Sequence, residues 1–361
     1  MDARYDIVIV GAGMAGASLA ATVGTRARLL MIEAEDRPGY HTTGRSAAFW
    51  TESYGGPGVR PLTAASGPML RDLGLVAPRR ALTLGRAGEE AQVAAFMETC
   101  SAIGIEIEWL DRAGIESRVA GLRPDWTCGA FEPSCCDIDV AGLHQHYLAQ
   151  ARKAGADLWC RAGLTAAERK SDGWMLTLSD GRQVAAAILV NAAGAWADPV
   201  ARMADVRPLG IMPYRRTMAQ LAVSPAVPDD LPLVFDISGT FYFKPENGHL
   251  WLSPHDETPS LPCDAAPEEL DVALAIDRFE QVVDWRIERL EHRWAGLRSF
   301  APDRLPVYGF APEVPGFFWF AGQGGFGIQT APAAAELGAR LLLGEPGGAI
   351  DPGPYSPGRF F

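Results

Sequence analysis

Long apolar runs are missing from this sequence. No stretch approaches the ~20 residues that cross a bilayer, and the first apolar run, Ile7 to Val10, stops at Gly11 with no basic segment ahead of it. Neither a membrane span nor a secretory leader is therefore expected. Positive charge is also scarce: 32 Lys and Arg stand against 44 Asp and Glu, a formal net charge of −12. Nucleic acid is a poor partner for such a chain, because backbone binding rests on clustered Lys and Arg. The six cysteines, Cys100, Cys128, Cys135, Cys136, Cys160 and Cys263, form no C-x-x-C pair and no metal-ligand spacing. Reduced thiols, no metal and a cytoplasmic location follow as expectations, with peripheral contact with a membrane left open. Internal repeats and low-complexity blocks are absent.

What is present is an ordinary globular composition, 48% hydrophobic and 21% charged over 361 residues. At roughly 150 residues per domain that length suggests two domains. The chain opens on a β-rich run from Tyr5 to Val10, a glycine turn, a helix through Ser18 to Val23, and a second strand from Arg28 to Ile32. This βαβ unit requires a parallel sheet and places the fold in the α/β class, α+β overall. The turn reads Gly11-Ala-Gly13-Met14-Ala15-Gly16. In a G-x-G-x-x-G turn the first glycine allows the bend, the second lets the backbone approach a pyrophosphate, and the third lets the helix pack on the strand. The helix N-terminus offers N–H groups and partial positive charge to the phosphates. Glu33 ends the second strand, where an acid binds ribose hydroxyls. Strand, turn, helix and acid in this order indicate a bound dinucleotide.

Further along, helices are expected over 59–73, 88–103, 138–154 and 267–283. An antiparallel ribbon is expected over 164–184, with turns at Ser171-Asp172-Gly173 and Ser179-Asp180-Gly181. A short buried strand at Ile188–Val190 follows, ending in Asn191-Ala-Ala193-Gly194-Ala-Trp196. Strands are expected over 217–223, 239–244 and 248–253. The sequence closes with strand Phe317–Ala321, the turn Gly322-Gln-Gly324-Gly325-Phe-Gly327 and a helix from Thr330 to Leu343. A discontinuous nucleotide domain (1–80, 137–205 and 296–361) with a second domain (81–136 and 206–295) accounts for this order.

The N-terminal turn alone does not separate FAD from NAD. Two elements favour FAD: the Asn191–Trp196 segment, which resembles the A-G-A-W element of FAD-dependent amine oxidoreductases, and the C-terminal glycine turn, whose helix end suits the negative charge of a reduced flavin. Longer matches follow: Pro38-Gly-Tyr-His-Thr-Thr-Gly-Arg-Ser-Ala-Ala48, Gly210-Ile-Met-Pro-Tyr-Arg-Arg216, Phe241-Tyr-Phe-Lys-Pro245, Trp294-Ala-Gly-Leu-Arg-Ser-Phe300 and Gln323-Gly-Gly-Phe-Gly-Ile-Gln-Thr330. On these, nearly end to end, the chain resembles the D-amino acid oxidase superfamily of flavoproteins, and within it D-arginine dehydrogenase most.

The resemblance implies a Rossmann-like domain holding extended FAD and a substrate domain built on a large mixed sheet. It implies oxidation of a D-amino acid by hydride transfer from Cα to flavin, the electrons passing to oxygen or another acceptor. Arg298 matches the carboxylate-binding arginine, Arg216 a second pocket arginine (Arg215 beside it must then face away), Tyr242 a carboxylate-contacting tyrosine, and Tyr54 a tyrosine on a mobile covering loop. The matching flavin contacts are Gly11, Gly13, Met14, Ala15, Gly16, Glu33, Thr43, Gly44, Arg45, Ser46, Ala47, Ala193, Gly194, Trp196, Gly324, Gly325, Gly327, Ile328, Gln329 and Thr330. No motif marks covalent attachment, so FAD is expected to bind non-covalently. Of the histidines only His41 falls in a flavin-loop motif; His144, His146, His249, His255 and His292 are expected to be structural or at the surface.

Two pocket positions depart from D-arginine dehydrogenase. The glutamate that binds the substrate guanidinium there falls at Ala81 here, and a histidine near the flavin falls at Phe49. A buried cation without its acid is costly by several kcal/mol. A neutral or hydrophobic D-amino acid is therefore expected, with glycine, sarcosine or a cyclic imino acid as the alternative and a non-catalytic flavin-binding protein as the alternative of another class.

Overall fold

Period-2 alternation decides where the first strand goes. Along Ala3–Val10, Ile7 and Ile9 turn to one face and Val8 and Val10 to the other, and each pair joins a different core cluster. A strand buried on both faces belongs in the middle of a parallel sheet covered on both sides. A computed structural model describes residues 3–361 and places it there; Met1 and Asp2, the first residues of the expected nucleotide domain, lie outside the described residues.

The first sheet has eight strands. Ala3–Val10 lies between Leu29–Ile32 and Gln183–Asn191, parallel to both. Asp157–Trp159 extends the sheet beyond Leu29–Ile32. On the other side, the first half of Gln183–Asn191 pairs with the ribbon strand Gly173–Leu178, and its last residues pair in parallel with Phe317–Ala321. The expected separate strand at Ile188–Val190 is therefore the end of one continuous strand. No turn residue interrupts Val184 to Asn191, so the ribbon feeds straight into the buried sheet. Helices Met14–Val23, Val140–Lys153 and Ala331–Leu343 share one core with Ile7 and Ile9.

The second sheet has ten strands. Its centre is the long pair Met212–Ser224 and Arg286–Phe300, antiparallel along the full length of the former. The remaining order runs from the Met212 strand through His249–Ser253, Tyr242–Glu246, Leu233–Asp236, Ala81–Arg86 and Trp126–Glu132 to Glu108–Asp111. Helix Glu269–Glu280 covers one face, contributing Val272, Ala275 and Phe279 to a core with Leu221, Phe243 and Leu252. The opposite face carries Met218 and Tyr242. A three-stranded sheet of Phe49–Trp50, Cys136–Ile138 and Val76–Pro78 bridges at the side. Among the described residues no helix is long and apolar enough to cross a membrane, and no group of side chains could hold a metal ion.

Candidate active site

The N-terminal turn is shaped by backbone contact. Gly11 has φ +98°, and its N–H donates to the Ile32 carbonyl at 2.8 Å. A Cβ there would sit 2.6 Å from the Ala192 carbonyl oxygen, and one at Gly16 would overlap the Gly11 carbonyl oxygen. Glycine at both positions lets helix Met14–Val23 begin directly against the strand end. First-turn N–H groups lack partners inside the helix; that of Met14 donates to Thr43 Oγ1 at 2.9 Å. Glu33 accepts from the N–H of Ala12 at 3.0 Å and from that of Glu35 at 3.1 Å, which holds its carboxylate beside the turn. Behind the turn, the His144 ring lies 2.9 Å from the Ala12 carbonyl; burial lowers its pKa, so it donates there as the neutral imidazole.

A cavity of about 410 Å³ joins this turn to the ten-stranded sheet. Gly11, Gly13, Met14, Ala15 and Glu33 line it on one side, with Thr43, Arg45, Ser46, Ala47, Ala193, Gly194 and Trp196. Gly324, Gly325, Gly327, Ile328 and Gln329 line it from the C-terminal turn, and Phe49, Tyr54, Arg216, Tyr242 and Arg298 complete it. Three expected contacts stand outside the lining. Gly16 and Gly44 are packing glycines, each beneath a carbonyl oxygen of its own loop. Thr330 is buried and turns its hydroxyl back onto the Phe326 carbonyl at 2.8 Å. The helix that the C-terminal turn opens begins only at Ala331.

Ala81 is a further correction. It does not line the cavity but packs behind it against Cys135, Met218, Leu233 and Tyr242. The Leu233–Asp236 strand lies between its strand and that of Tyr242, and this separation keeps it from the wall.

Sheet register brings the two arginines together. Tyr214 pairs with Arg298 and Arg216 with Gly296, so Arg216 and Arg298 project from one face of adjacent strands. Arg215 projects the other way and is held by Glu268 at 2.5 Å and Asp271 at 2.9 Å. Arg298 donates to the Tyr54 hydroxyl at 2.6 Å through Nη2 and to Glu257 Oε1 at 3.0 Å through Nη1. Its guanidinium lies over Gly325, where any side chain would overlap it. Arg216 donates to the Asp256 carbonyl at 2.8 Å, and its Nη2 is 3.5 Å from Glu257 Oε1. Burial, with the like charge of Arg216 adding to it, pulls Arg298 below the ordinary arginine range. Burial works against the Arg216 charge as well, but Tyr242, Tyr54, Asp256 and Glu257 outweigh it and raise that pKa. Sequence reasoning missed Glu257, which lies in a Pro-flanked loop with no motif to mark it. It also missed Met218, whose sulphur accepts from the Tyr242 hydroxyl at 3.1 Å.

Aromatic rings wall the arginine end. Phe49 meets Tyr54 at 5.4 Å and Tyr242 at 6.4 Å between centroids, and Phe235 backs all three. The loop carrying Tyr54 is tied down. Buried Glu132 accepts from the Thr51 hydroxyl at 2.6 Å, the Glu52 N–H at 3.2 Å, and the Ser53 hydroxyl. Gln329 donates to the Tyr54 carbonyl at 3.2 Å.

His255 stands behind Tyr242, ring edge to ring face at 5.6 Å, with Nδ1 2.7 Å from the Gly239 carbonyl. Burial, then the charge of Arg216, lowers its pKa from 6.5 to about 4. The unfolded chain therefore binds a proton that the native chain refuses. Stability should fall as pH drops from 6.5 toward 4 and stay level above 6.5 as far as this group is concerned. Urea unfolding at pH 5 and pH 7 should show a smaller difference in His255→Asn than in the unaltered protein.

Comparison with known proteins fits this geometry. The model of the family described as "DAO: FAD dependent oxidoreductase" matches residues 6–341. The chain belongs to the DAO family. It is 26% identical to the hydrogen cyanide synthase subunit HcnC of Pseudomonas aeruginosa over 412 residues, covering 100% of this chain and 97% of that protein. It is 31% identical to the glycine oxidase of Pseudomonas aeruginosa over 171 residues, 46% of this chain and 44% of that one. Among solved structures, glycine oxidase from Geobacillus kaustophilus superposes with a TM-score of 0.86 at 23% identity over 98% of each chain. L-proline dehydrogenase from P. horikoshii superposes at 0.87 and 20% identity, over 100% of this chain and 98% of that one. These structures share the fold.

As a DAO-family member the chain is an FAD-binding flavoprotein. The residues present fit the cofactor: the glycine turn excludes side chains where a pyrophosphate would approach, and one cavity links that turn to the arginine pair.

Proposed function

We propose that this chain oxidises a small, neutral α-amino acid, a D-amino acid foremost, to the imino acid, which water then converts to 2-oxo acid and ammonia. The observation that carries the reading is the Arg298 guanidinium facing the same cavity as the dinucleotide turn. FAD, when bound, supplies the hydride acceptor, and oxygen or another acceptor takes the electrons onward.

The chain supplies placement. The guanidinium of Arg298 offers a substrate carboxylate two parallel charge-assisted hydrogen bonds. Tyr54 and Glu257 hold that guanidinium at fixed angles, and Tyr242 and Arg216 flank it. Fixing the carboxylate on one side limits where Cα–H can point, which is the main kinetic gain available to the protein. The flavin contacts assigned above from sequence that line the cavity, Gly11, Gly13, Met14, Ala15, Glu33, Thr43, Arg45, Ser46, Ala47, Ala193, Gly194, Trp196, Gly324, Gly325, Gly327, Ile328 and Gln329, belong to the same reading. So does the division into a discontinuous nucleotide domain and a substrate domain.

The choice of a neutral side chain rests on the walls. Among the described residues the only acids lining the cavity are Glu33 and Glu35, beside the glycine turn. Phe49, Tyr54 and Tyr242 face the substrate end instead, so a cationic side chain would meet no counter-charge there. Similarity to proteins named glycine oxidase and L-proline dehydrogenase favours a second reading, glycine or a cyclic imino acid in the same clamp. An anaerobic screen of the yellow protein against both enantiomers of the amino acids, with glycine, sarcosine and proline, tests both. Bleaching of the flavin by small neutral D-amino acids is the expected result. Preference for D-arginine or D-lysine overturns the neutral-substrate reading, and no bleaching by any amine overturns the activity.

A further inference from the structure

The charges around the arginine pair can be counted. Arg215 projects away from the cavity and has close partners of its own, Glu268 and Asp271, with Asp256 3.9 Å away between it and Arg216. That leaves three guanidinium groups, Arg216, Arg298 and Arg304, against two carboxylates, Asp256 and Glu257. Asp256 is spent beneath the sheet, accepting from the Thr217 N–H at 2.7 Å and the Thr217 hydroxyl at 2.9 Å, while its backbone carbonyl takes the Arg216 Nε. Glu257 is the one acid shared by all three arginines. Its Oε1 lies 3.0 Å from Arg298, 3.5 Å from Arg216 and 2.8 Å from Arg304, and its Oε2 is 3.0 Å from Arg304. Neither Glu257 nor Arg304 lines the cavity; they stand behind the arginines, toward solvent.

We infer that Glu257 is a specificity-determining residue that sets the charge of substrate the pocket accepts. With Glu257 in place the cluster carries a single net positive charge, which one carboxylate satisfies. A second carboxylate on the substrate would meet no free guanidinium and would lie near the Glu257 charge. Like charges brought together at a recognition site cost several kcal/mol. Without Glu257 the cluster carries two positive charges, and Arg216, Arg298 and Arg304 each lose a partner. The pocket then suits a dianion. Glu257 acts through the arginines and is a positioning and charge-setting group, not a catalytic one. The inference rests on the proposed carboxylate clamp at Arg298.

The FAD-loaded Glu257→Gln protein tests it by two independent measurements. The first is the ratio of kcat/KM for glutamate to that for alanine, with the enantiomer the unaltered enzyme prefers. The ratio should rise at least about tenfold, because the repulsion removed is of the size that separates right from wrong charge partners. The second needs no turnover: the affinity for glutarate and for propionate, read from the shift in Tm. Glutarate should tighten about tenfold relative to propionate in the variant. A merely structural role would lower both kcat/KM values together and weaken both acids. Arg304→Gln supplies the opposite sign, since it lowers the cluster charge by one and should weaken glutarate more than propionate. An unchanged selectivity ratio in Glu257→Gln, with alanine still oxidised, overturns the inference while leaving the proposed activity standing. Failure of both acids to shift Tm in either protein overturns the clamp and the inference together.

Discussion

Arg298→Leu should lose about a thousandfold in kcat/KM for the preferred amino acid, ~4 kcal/mol, the cost of removing one partner from a buried, hydrogen-bonded charge pair. The loss has two parts. The substrate carboxylate loses both parallel hydrogen bonds, and Glu257 and the Tyr54 hydroxyl lose the group that orients them. Arg298→Lys should recover only part of this, because an ammonium restores charge but not the planar fork. Steady-state kinetics on the three proteins, with the flavin spectrum confirming that each holds its cofactor, checks the result. Equal rates in Arg298→Leu would mean that the substrate is not held by its carboxylate at this position.

The second large effect belongs to a residue that touches no ligand. In Gly16→Val the new side chain would overlap the Gly11 carbonyl oxygen, and Ile9 crowds the same space from the strand. Backbone cannot rotate away as a flexible side chain can, so helix Met14–Val23 must shift off the strand and carry its first-turn N–H groups with it. Overpacking of this kind costs about 1–3 kcal/mol, and roughly a hundredfold loss of FAD affinity is expected at the upper end of that range. The purified variant should be colourless, and titration with FAD followed by fluorescence quenching gives the affinity. Retention of bound flavin at the usual level would place the dinucleotide elsewhere.

How much of this was legible in advance follows from how local each constraint is. The glycine turn, its helix and Glu33 fall within the first 33 residues, and the bonds that tie the turn to Ile32 and Glu33 close within a single βαβ unit, 21 positions apart in the chain. Such features leave a pattern that can be read. The assignment of Arg216 rather than Arg215 to the pocket came from the resemblance; composition and spacing do not separate the two, and the strand's alternation does, with Arg216 on the cavity wall and Arg215 on Glu268. The strand Arg286–Phe300 left no apolar alternation over its first eight residues, almost all exposed, and it exists because it pairs along Met212–Ser224. Glu257 was invisible for a related reason: its three arginine partners lie 41 to 47 positions away in the chain and meet it only through tertiary folding. The expected freedom of the Tyr54 loop was inherited from a resemblance; Glu132, which ties that loop, lies 79 positions beyond Ser53.

That tie has a consequence for how this pocket could change. Glu132 is the direct cross-strand neighbour of Ala81, so both side chains share one face of the sheet. An acid introduced at 81 to greet a basic substrate would arrive next to a carboxylate already committed to Thr51, Ser53 and the Glu52 amide. Two buried carboxylates side by side resist joint ionisation, and one would take up a proton. A route to cationic substrates through this strand therefore runs by way of at least two changes, the second of which unfastens the roof of the site.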